Sequence, residues 1–311
     1  MTALDFYRQP FGLTETGSYG FLFDALPDDI TALVAVVQGL GIYDLFAGRF
    51  YGVSLTEQRR AEIHLRGVKE QLERLLLLSD KPLTHPRPPD QRLACRCRHF
   101  TLLLVAMLRH KGTPARARCG FATYFNAPRF EDHWVCEYWS ADAARWVLVD
   151  PQLDAVWRER LTIDFDILDM PRDRFLTAGD AWLRCRSGEA DPTQFGISFA
   201  GLYGPWFIAG SLVRELAALN KVELLPWDVW GAQPQPGAPL TDEQLALFDT
   251  VAALTHRLDA NFEALRTLYE NDERLRVPLV VFNALRNQPE GSSALELARS
   301  PDTGYNQGHD V

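Results

Sequence analysis

The sequence lacks a surplus of basic residues. Its 311 residues include 32 lysines and arginines against 41 aspartates and glutamates, which gives a formal net charge of −9 at pH 7. The basic residues are scattered along the chain rather than clustered. Because a nucleic-acid-binding protein needs a basic patch to neutralise phosphates, we expect no nucleic-acid partner.

Long apolar runs are also missing. The best candidate, ITALVAVVQGLGIYDLFAG at 30–48, is interrupted by Gln38 and Asp44, whereas a membrane-spanning helix needs about 20 predominantly apolar residues. The first residues, MTALDFYRQPFGLTETGSYG, contain neither the basic segment nor the apolar core of a signal peptide. These absences predict a protein with no membrane partner and a cytoplasmic location.

Cysteine is scarce and unevenly spaced. The five cysteines, at positions 95, 97, 119, 136 and 185, form an odd set without the spacing of a small disulfide scaffold, so reduced thiols are expected. The hydrophobic content of 47% is sufficient for a large buried core. No internal repeat is found.

Helical patterns dominate both ends of the chain. Acidic residues before Ile30 and the apolar run after it predict a helix, and residues 54–80 predict one long helix with apolar positions at helical spacing. Residues 204–221 and 241–272 predict two more helices, joined by a proline-rich linker. The residues after Ser292 are polar and expected to be loosely ordered.

A different pattern occupies the middle of the chain. The motif ACRCRHF at 94–100 comes directly before the apolar stripe of TLLLVAMLRH, and Gly112 supplies a stop, so the motif straddles the start of a helix. ARARCGFATYF is typical of a strand. DHWVCEYW and RWVLVD, separated by SADAA, predict a hairpin.

The register of this hairpin brings a histidine and an aspartate together. If the turn centres near Ala141 and Asp142, His133 lies opposite Asp150. Directly opposed residues share a sheet face, with their Cβ atoms about 4.5–5.5 Å apart. A carboxylate in that position could fix the tautomer of the imidazole, as the second and third members of a catalytic triad do.

Cys97 has a physical reason to be the nucleophile of such a triad. It stands where the helix begins, and the unsatisfied N–H groups and positive dipole of a helix N-terminus favour thiolate over thiol. A neighbouring imidazolium would favour the thiolate further. The backbone N–H of Cys97 is a candidate donor to an oxyanion, and no side chain is assigned to that role.

Three blocks of the sequence resemble the transglutaminase-like superfamily. RCRHFTLLLVAMLRHKGTPARARCGF resembles its cysteine block, DHWVCEYW its histidine block and RWVLVDPQLD its aspartate block. The resemblance covers roughly residues 90 to 155 and implies that Cys97 is the nucleophile, His133 the general base and acid, and Asp150 the residue that orients the histidine. Cys95 stands where the family often has glycine, and His99 where it often has an acidic residue.

The resemblance implies an α+β fold, in which a cysteine-bearing helix of a papain-like core packs on an antiparallel sheet. We expect N-terminal helices at 1–90, the catalytic core at 91–200 and a C-terminal helical region at 201–311. The chemistry is amidase- or peptidase-type hydrolysis, or acyl transfer to an amine, through a thioester acyl-enzyme. The partner is then an amide- or ester-containing small molecule or peptide, with an amine as the acceptor in the transfer case. No cofactor or metal is expected, and the absence of calcium-loop motifs favours a metal-independent reaction over a calcium-activated crosslinker.

Two alternatives of other classes stay open. A noncatalytic binding protein could keep the same fold, and a zinc-stabilised module could use the local cysteines and histidines, although the spacing C-x-C-x-H is not the usual one. Neighbouring residues have simpler interpretations. Glu137 and Asp132 are interpreted as solvated charges at a strand edge, His99 as a capping or packing residue, and Asp154 as a weaker candidate than Asp150.

Overall fold

The computed structural model describes residues 1–291, so the expectation for the residues after Ser292 lies outside the described residues. The α-helices of this part are α1 (Ala3–Arg8), α2 (Ile30–Leu40), α3 (Ala47–Tyr51), α4 (Glu57–Arg60), α5 (Val68–Leu78), α6 (Cys97–His110), α7 (Ala155–Leu161), α8 (Ala178–Ser187), α9 (Pro205–Leu219), α10 (Asp242–His256) and α11 (Leu258–Asn271). The strands are β1 (Gly41–Tyr43), β2 (Leu93–Cys95), β3 (Ala115–Ala122), β4 (Phe130–Ser140), β5 (Arg145–Val149), β6 (Phe175–Thr177), β7 (Phe195–Ile197), β8 (Leu202–Tyr203), β9 (Asp228–Val229), β10 (Val280–Asn283) and β11 (Gln288–Gly291).

A mixed sheet built around β4 forms the centre of the fold. Its strand order is β6-β3-β4-β7-β8, and β5 pairs with the C-terminal half of β4 while β7 pairs with its first residues. The β4–β7 pairing is parallel and the other pairings of this sheet are antiparallel. The α+β class predicted from the sequence is confirmed.

Helix α6 lies against this sheet and is buried along almost its whole length, from Cys97 to Arg109. Alternation along β4 sends Trp134 into the large core shared with α6, whereas Val135 joins a smaller cluster. The Thr101 hydroxyl of α6 donates to the Trp134 carbonyl at 3.0 Å. The helix that begins at Cys97 is thus fixed to the strand that carries the candidate histidine.

The hairpin of β4 and β5 forms as predicted, but its register differs by two residues. Glu137 pairs with Leu148 and Cys136 with Val149, because the turn lies one residue later than Ala141 and Asp142. His133 and Asp150 are therefore diagonal neighbours rather than directly opposed. Side chains alternate with a period of two, so a shift of two residues leaves both on the same face.

The prediction of a single helix over 54–80 is wrong, and the segment contains several elements. It is divided into α4, a 3₁₀ turn at Ala61–His64 and α5, with an extended backbone at Leu65 and Gly67 between them. The N–H groups of Arg66 and Gly67 both donate to Glu70 Oε2, at 2.8 and 2.9 Å. The Arg66 guanidinium then pairs with buried Asp228, a contact that decides the local backbone over the helical pattern.

The long helix predicted over 241–272 is two helices, α10 and α11, which are separated by Arg257 at φ −111° and ψ 48°. Helix α10 packs against α8 and α9, and α9 packs against β3. The apolar segment near residue 280 forms the β10–β11 hairpin. Within residues 1–291, we find no helix both long and apolar enough to cross a bilayer.

Candidate active site

Cys97 is the first residue of α6, and Arg96 is the N-cap. The backbone N–H of Arg96 donates to His99 Nδ1 at 3.2 Å, which places a histidine in the capping position that an acidic residue often takes. Burial, together with the charges of Arg98 and Arg96, holds the pKa of His99 well below its usual range. His99 is therefore a neutral cap, in agreement with the capping interpretation.

The arginines on either side of Cys97 fix the start of the helix. The fully buried Arg98 donates from Nε to the Glu223 carbonyl at 2.8 Å, and burial lowers its pKa to about 10. Arg96 pairs with Asp44, its Nη2 lying 3.1 Å from Asp44 Oδ2, and its guanidinium covers the ring of Trp227 at 5.7 Å. The partners of both arginines lie outside the cysteine block, so these contacts connect the block to distant parts of the chain.

His133 contacts both other members of the predicted triad. Its Nε2 lies 2.8 Å from Asp150 Oδ2, and the imidazole is close enough to Cys97 for the two side chains to interact. Since Nε2 is engaged by the carboxylate, Nδ1 is the ring nitrogen left for an interaction with Cys97. The structure thus brings Cys97, His133 and Asp150 together in the order that a triad requires.

The Asp150 carboxylate is itself held in place by two further hydrogen bonds. The Tyr124 hydroxyl donates to Oδ2 at 2.6 Å, and the Gln152 N–H donates to Oδ1 at 3.0 Å. Asp150 is fully buried. Both of its oxygens are therefore satisfied as acceptors.

The charge of Asp150 decides the protonation of the imidazole. Burial alone would lower the pKa of His133, but the Asp150 charge, the hydrogen bond to that carboxylate and the contact with Cys97 together raise it to about 10. His133 is therefore an imidazolium at neutral pH. The site therefore places a cation beside the Cys97 side chain.

The three residues lie beside a cavity of about 420 Å³, which Cys97 and His133 both line. This volume is within the range of small-molecule sites. Aromatic residues form much of the wall, and charged residues occur at its edges. The lining includes Tyr43, Phe46, Arg49, Phe50, Arg96, Phe125, Asp132, Gln152, Trp157, Arg160 and Trp227.

The interpretation of Glu137 as a solvated edge charge is wrong. Its side chain is fully buried and lies 2.6 Å from Arg116 Nε and 2.8 Å from Arg118 Nη1. Burial alone would raise the pKa of Glu137, but the charges of Arg116, Arg118 and Arg172 hold it well below its usual range. The alternating arginines of ARARCGF, on the adjacent strand β3, are the sequence feature from which this cluster could have been predicted.

Asp132 is not a solvated strand-edge charge either. It lines the cavity, and its Oδ1 is shielded from solvent without a hydrogen-bond partner in residues 1–291. Burial raises the pKa of Asp132, against the lowering effect of Arg214. Asp154 has a separate structural role, since its Oδ1 accepts from the Trp157 N–H at 3.0 Å and caps α7.

The remaining thiols stay apart from the triad. Cys95, Cys119 and Cys136 are free and buried, and burial raises the pKa of each. In the described part of the chain, no three histidine, cysteine or acidic side chains are grouped so that they could hold a metal ion. The described residues therefore provide no group of ligands for the zinc-stabilised alternative.

Sequence reasoning missed several residues that shape the site. Tyr124 lies beyond the end of β3, in the loop before β4, and no motif marked its hydroxyl as a partner of Asp150. Phe46 belongs to the 3₁₀ turn before α3, Phe50 to α3 and Trp157 to α7, which is distant in sequence. Only the fold brings them to the same cavity.

Comparison with known proteins gives one match. Residues 79–151 match the family model of the transglutaminase-like superfamily, which confirms the resemblance drawn from the sequence. The match suggests cysteine-based hydrolase or acyltransferase chemistry in general, although members of the superfamily can be inactive. No curated protein and no solved structure shows significant similarity to the chain.

Proposed function

We propose that this chain, which carries a transglutaminase-like core over residues 79–151, uses Cys97 to hydrolyse or transfer the acyl group of a small amide or ester. The observation that carries the proposal is the contact of His133 with both Cys97 and Asp150 at the wall of a cavity. A buried cysteine with only a structural role would need neither a histidine–aspartate pair beside it nor access to a cavity.

The protonation states of Cys97 and His133 determine the course of the reaction. The Cys97 thiolate attacks the carbonyl carbon and forms a C–S bond, while the carbonyl oxygen takes the negative charge. Collapse of this intermediate breaks the bond to the leaving amine or alcohol, which takes its proton from His133. Water then attacks the thioester and gives a proton to His133, so that a carboxylic acid leaves and the thiolate–imidazolium pair is restored.

The N-terminus of α6 supports the intermediate. Cys97 is the first helical residue, and its N–H has no acceptor within the helix. This N–H is a donor for the oxyanion, in a position where the helix dipole also favours negative charge.

The pH dependence of Cys97 alkylation tests the proposal. With limiting iodoacetamide near pH 6.5, we expect Cys97 to be labelled at least about tenfold faster than an ordinary thiol, because few ordinary thiols are ionised at that pH. His133→Ala should remove this advantage. The matched control is His85→Ala, a change at an exposed histidine outside the cavity.

Labelling at Cys97 that rises with pH like that of a free thiol, whatever residue occupies position 133, would contradict the proposal. It would favour a binding protein on the same fold. If Cys97 is labelled rapidly instead, the protein should also turn over amide or ester substrates, and this turnover should disappear in Cys97→Ser.

Acyl transfer to an amine is favoured over hydrolysis alone by one observation. Asp132 lies next to His133 in sequence and lines the same cavity, and its unpaired Oδ1 could accept a hydrogen bond from an ammonium group. With an activated ester as acyl donor, a primary amine should then form amide product at millimolar concentration. Asp132→Asn should reduce this partitioning more than it reduces ester hydrolysis.

A further inference from the structure

The wall of the cavity contains a cluster of three aromatic rings. Phe46 and Phe50, from the segment that leads into and forms α3, have ring centroids 4.9 Å apart. Trp157 of α7 meets them edge to face, at 5.0 and 4.7 Å. Such a wall offers flat apolar contact to a ligand.

The aromatic wall is fixed to the loop that carries the predicted triad aspartate. The Tyr51 hydroxyl at the end of α3 donates to Asp154 Oδ2 at 2.7 Å, and Asp154 also caps α7. Helix α7 follows Asp150 by only a few residues. The wall is therefore formed before a ligand binds, at a fixed position relative to the triad.

Two arginines converge on this wall. The guanidinium carbons of Arg49 and Arg160 lie 6.0 and 5.5 Å from the ring centroid of Phe50. Both side chains are exposed and line the cavity. Neither guanidinium makes an ion pair or hydrogen bond within residues 1–291, whereas Arg96 in the same cavity is paired with Asp44.

The acidic residues of the cavity do not neutralise these two charges. Glu131 is already engaged, because its carboxylate accepts from Asn126 Nδ2 at 3.3 Å and from the Ser198 N–H at 3.0 Å. Asp132 is next to His133 in sequence, and burial raises the pKa of its carboxyl group, which disfavours its negative charge. Within residues 1–291, the unpaired charges next to the Phe50 ring are thus the two guanidinium groups, in a chain whose formal net charge is −9.

We infer that the cavity selects an acyl donor whose acyl group carries an aromatic ring and ends in a carboxylate. The ring lies against Phe46, Phe50 and Trp157, and the carboxylate pairs with Arg49 and Arg160. The carbonyl of the same group then lies toward Cys97. This assignment rests on the proposed function, since the orientation presumes attack by Cys97.

A pair of matched substrates tests this selectivity. They are the para-nitrophenyl esters of hydrocinnamic acid with either a carboxylate or a methyl group at the para position of the acyl ring. We expect kcat/KM to favour the carboxylate ester by about tenfold, as two partly exposed charge pairs would give. Because surface charge interactions are screened by salt, the preference should shrink in high salt.

Variants show whether the two arginines cause the preference. In the double variant Arg49→Gln with Arg160→Gln, the ratio of the two kcat/KM values should fall to about one. Arg158→Gln is the matched control, since Arg158 is an exposed residue of the same helix α7 but does not line the cavity. It should keep the parent ratio, and thermal unfolding checks that all variants fold.

Binding without turnover separates this inference from the proposed function. In Cys97→Ser, calorimetry with the two corresponding primary amides should show about tenfold tighter binding of the carboxylate amide. Equal binding of the two amides, or a preference that persists in the double arginine variant, overturns the inference even if Cys97 turns over esters. Preferential binding that depends on the arginines, without Cys97-dependent turnover, supports the inference and contradicts the proposed function.

Discussion

The Asp150 carboxylate accepts hydrogen bonds from three different groups, and the Tyr124 hydroxyl shares Oδ2 with His133. A carboxylate held by several donors cannot rotate freely, so the imidazole that depends on it has one orientation. We therefore expect Tyr124 to act as a positioning residue for His133.

Tyr124→Phe tests this role. Loss of a hydrogen bond to a charged group costs about 1.5–3 kcal/mol, so we expect kcat/KM to fall at least about tenfold. The fall should be in kcat rather than KM, and the advantage of Cys97 in alkylation near neutral pH should weaken. Tyr138→Phe is the control, because Tyr138 lies on β4 but outside the cavity. Unchanged kcat and alkylation in Tyr124→Phe would contradict a positioning role.

The sequence located Cys97, His133 and Asp150 because each lies in a block with a local signature. Tyr124 could not be located in this way, since its hydroxyl gains a partner only when the loop after β3 folds over β5. The interpretation of Glu137 as a solvated charge was wrong for a different reason. A charged residue in a short strand suggested a solvated edge, and its own segment did not show that Arg116 and Arg118 of the adjacent strand pair with it.

At the scale of elements, strand β3 lies between β4 and β6, and it approaches β6 most closely at Gly120. A Cβ added there would lie 2.1 Å from the Leu176 carbonyl oxygen and 2.8 Å from the Thr177 Cα, both of which belong to the backbone of β6. Gly120 also pairs with His133 in the β3–β4 ladder. The glycine thus permits a pairing that supports the candidate site.

Gly120→Ala should therefore destabilise the protein. Because backbone rather than a flexible side chain must move, we expect a loss of about 2–4 kcal/mol in the free energy of unfolding, measured by urea denaturation. Gly48→Ala is the matched control in α3, where the nearest atom to an added Cβ is 3.8 Å away. It should be neutral or stabilise by up to about 1 kcal/mol. Equal stability of the two variants would contradict the close approach of β3 and β6.

Local sequence predicted the elements of the core well and the surrounding helices less well. Helix α6 and the β4–β5 hairpin have strong periodicity, and they pack on each other. The break at Leu65 combines a local cap, in which the Gly67 N–H donates to Glu70, with the pairing of Arg66 and Asp228, 162 residues apart in the chain. Periodicity cannot report a contact of that separation.

At the scale of the whole molecule, the buried pair of His133 and Asp150 contributes to folding in a pH-dependent way. The pKa of His133 is raised from its ordinary value of 6.5 to about 10. A raised pKa in the folded state means that the stabilisation is fully present below about 6.5 and is lost as the pH rises through about 10. The protein should therefore lose this contribution to stability in alkaline solution.

His133→Gln removes the titrating group and isolates this effect. The difference in the free energy of unfolding between the parent and His133→Gln should decrease as the pH is raised from about 6.5 to about 10. Urea denaturation across this range measures it. His85→Gln, at an exposed position, should give a constant difference. A difference for His133→Gln that grows with pH would contradict the sign of the pKa shift.

The capping histidine of α6 has a consequence for the electric field at the sulfur. An acidic cap would place a full negative charge one turn from Cys97 and repel the anion that forms there. The uncharged ring of His99 satisfies the same backbone N–H without that repulsion. In the proposed reaction, no negative charge at the capping position therefore opposes the favourable field of the α6 N-terminus at Cys97.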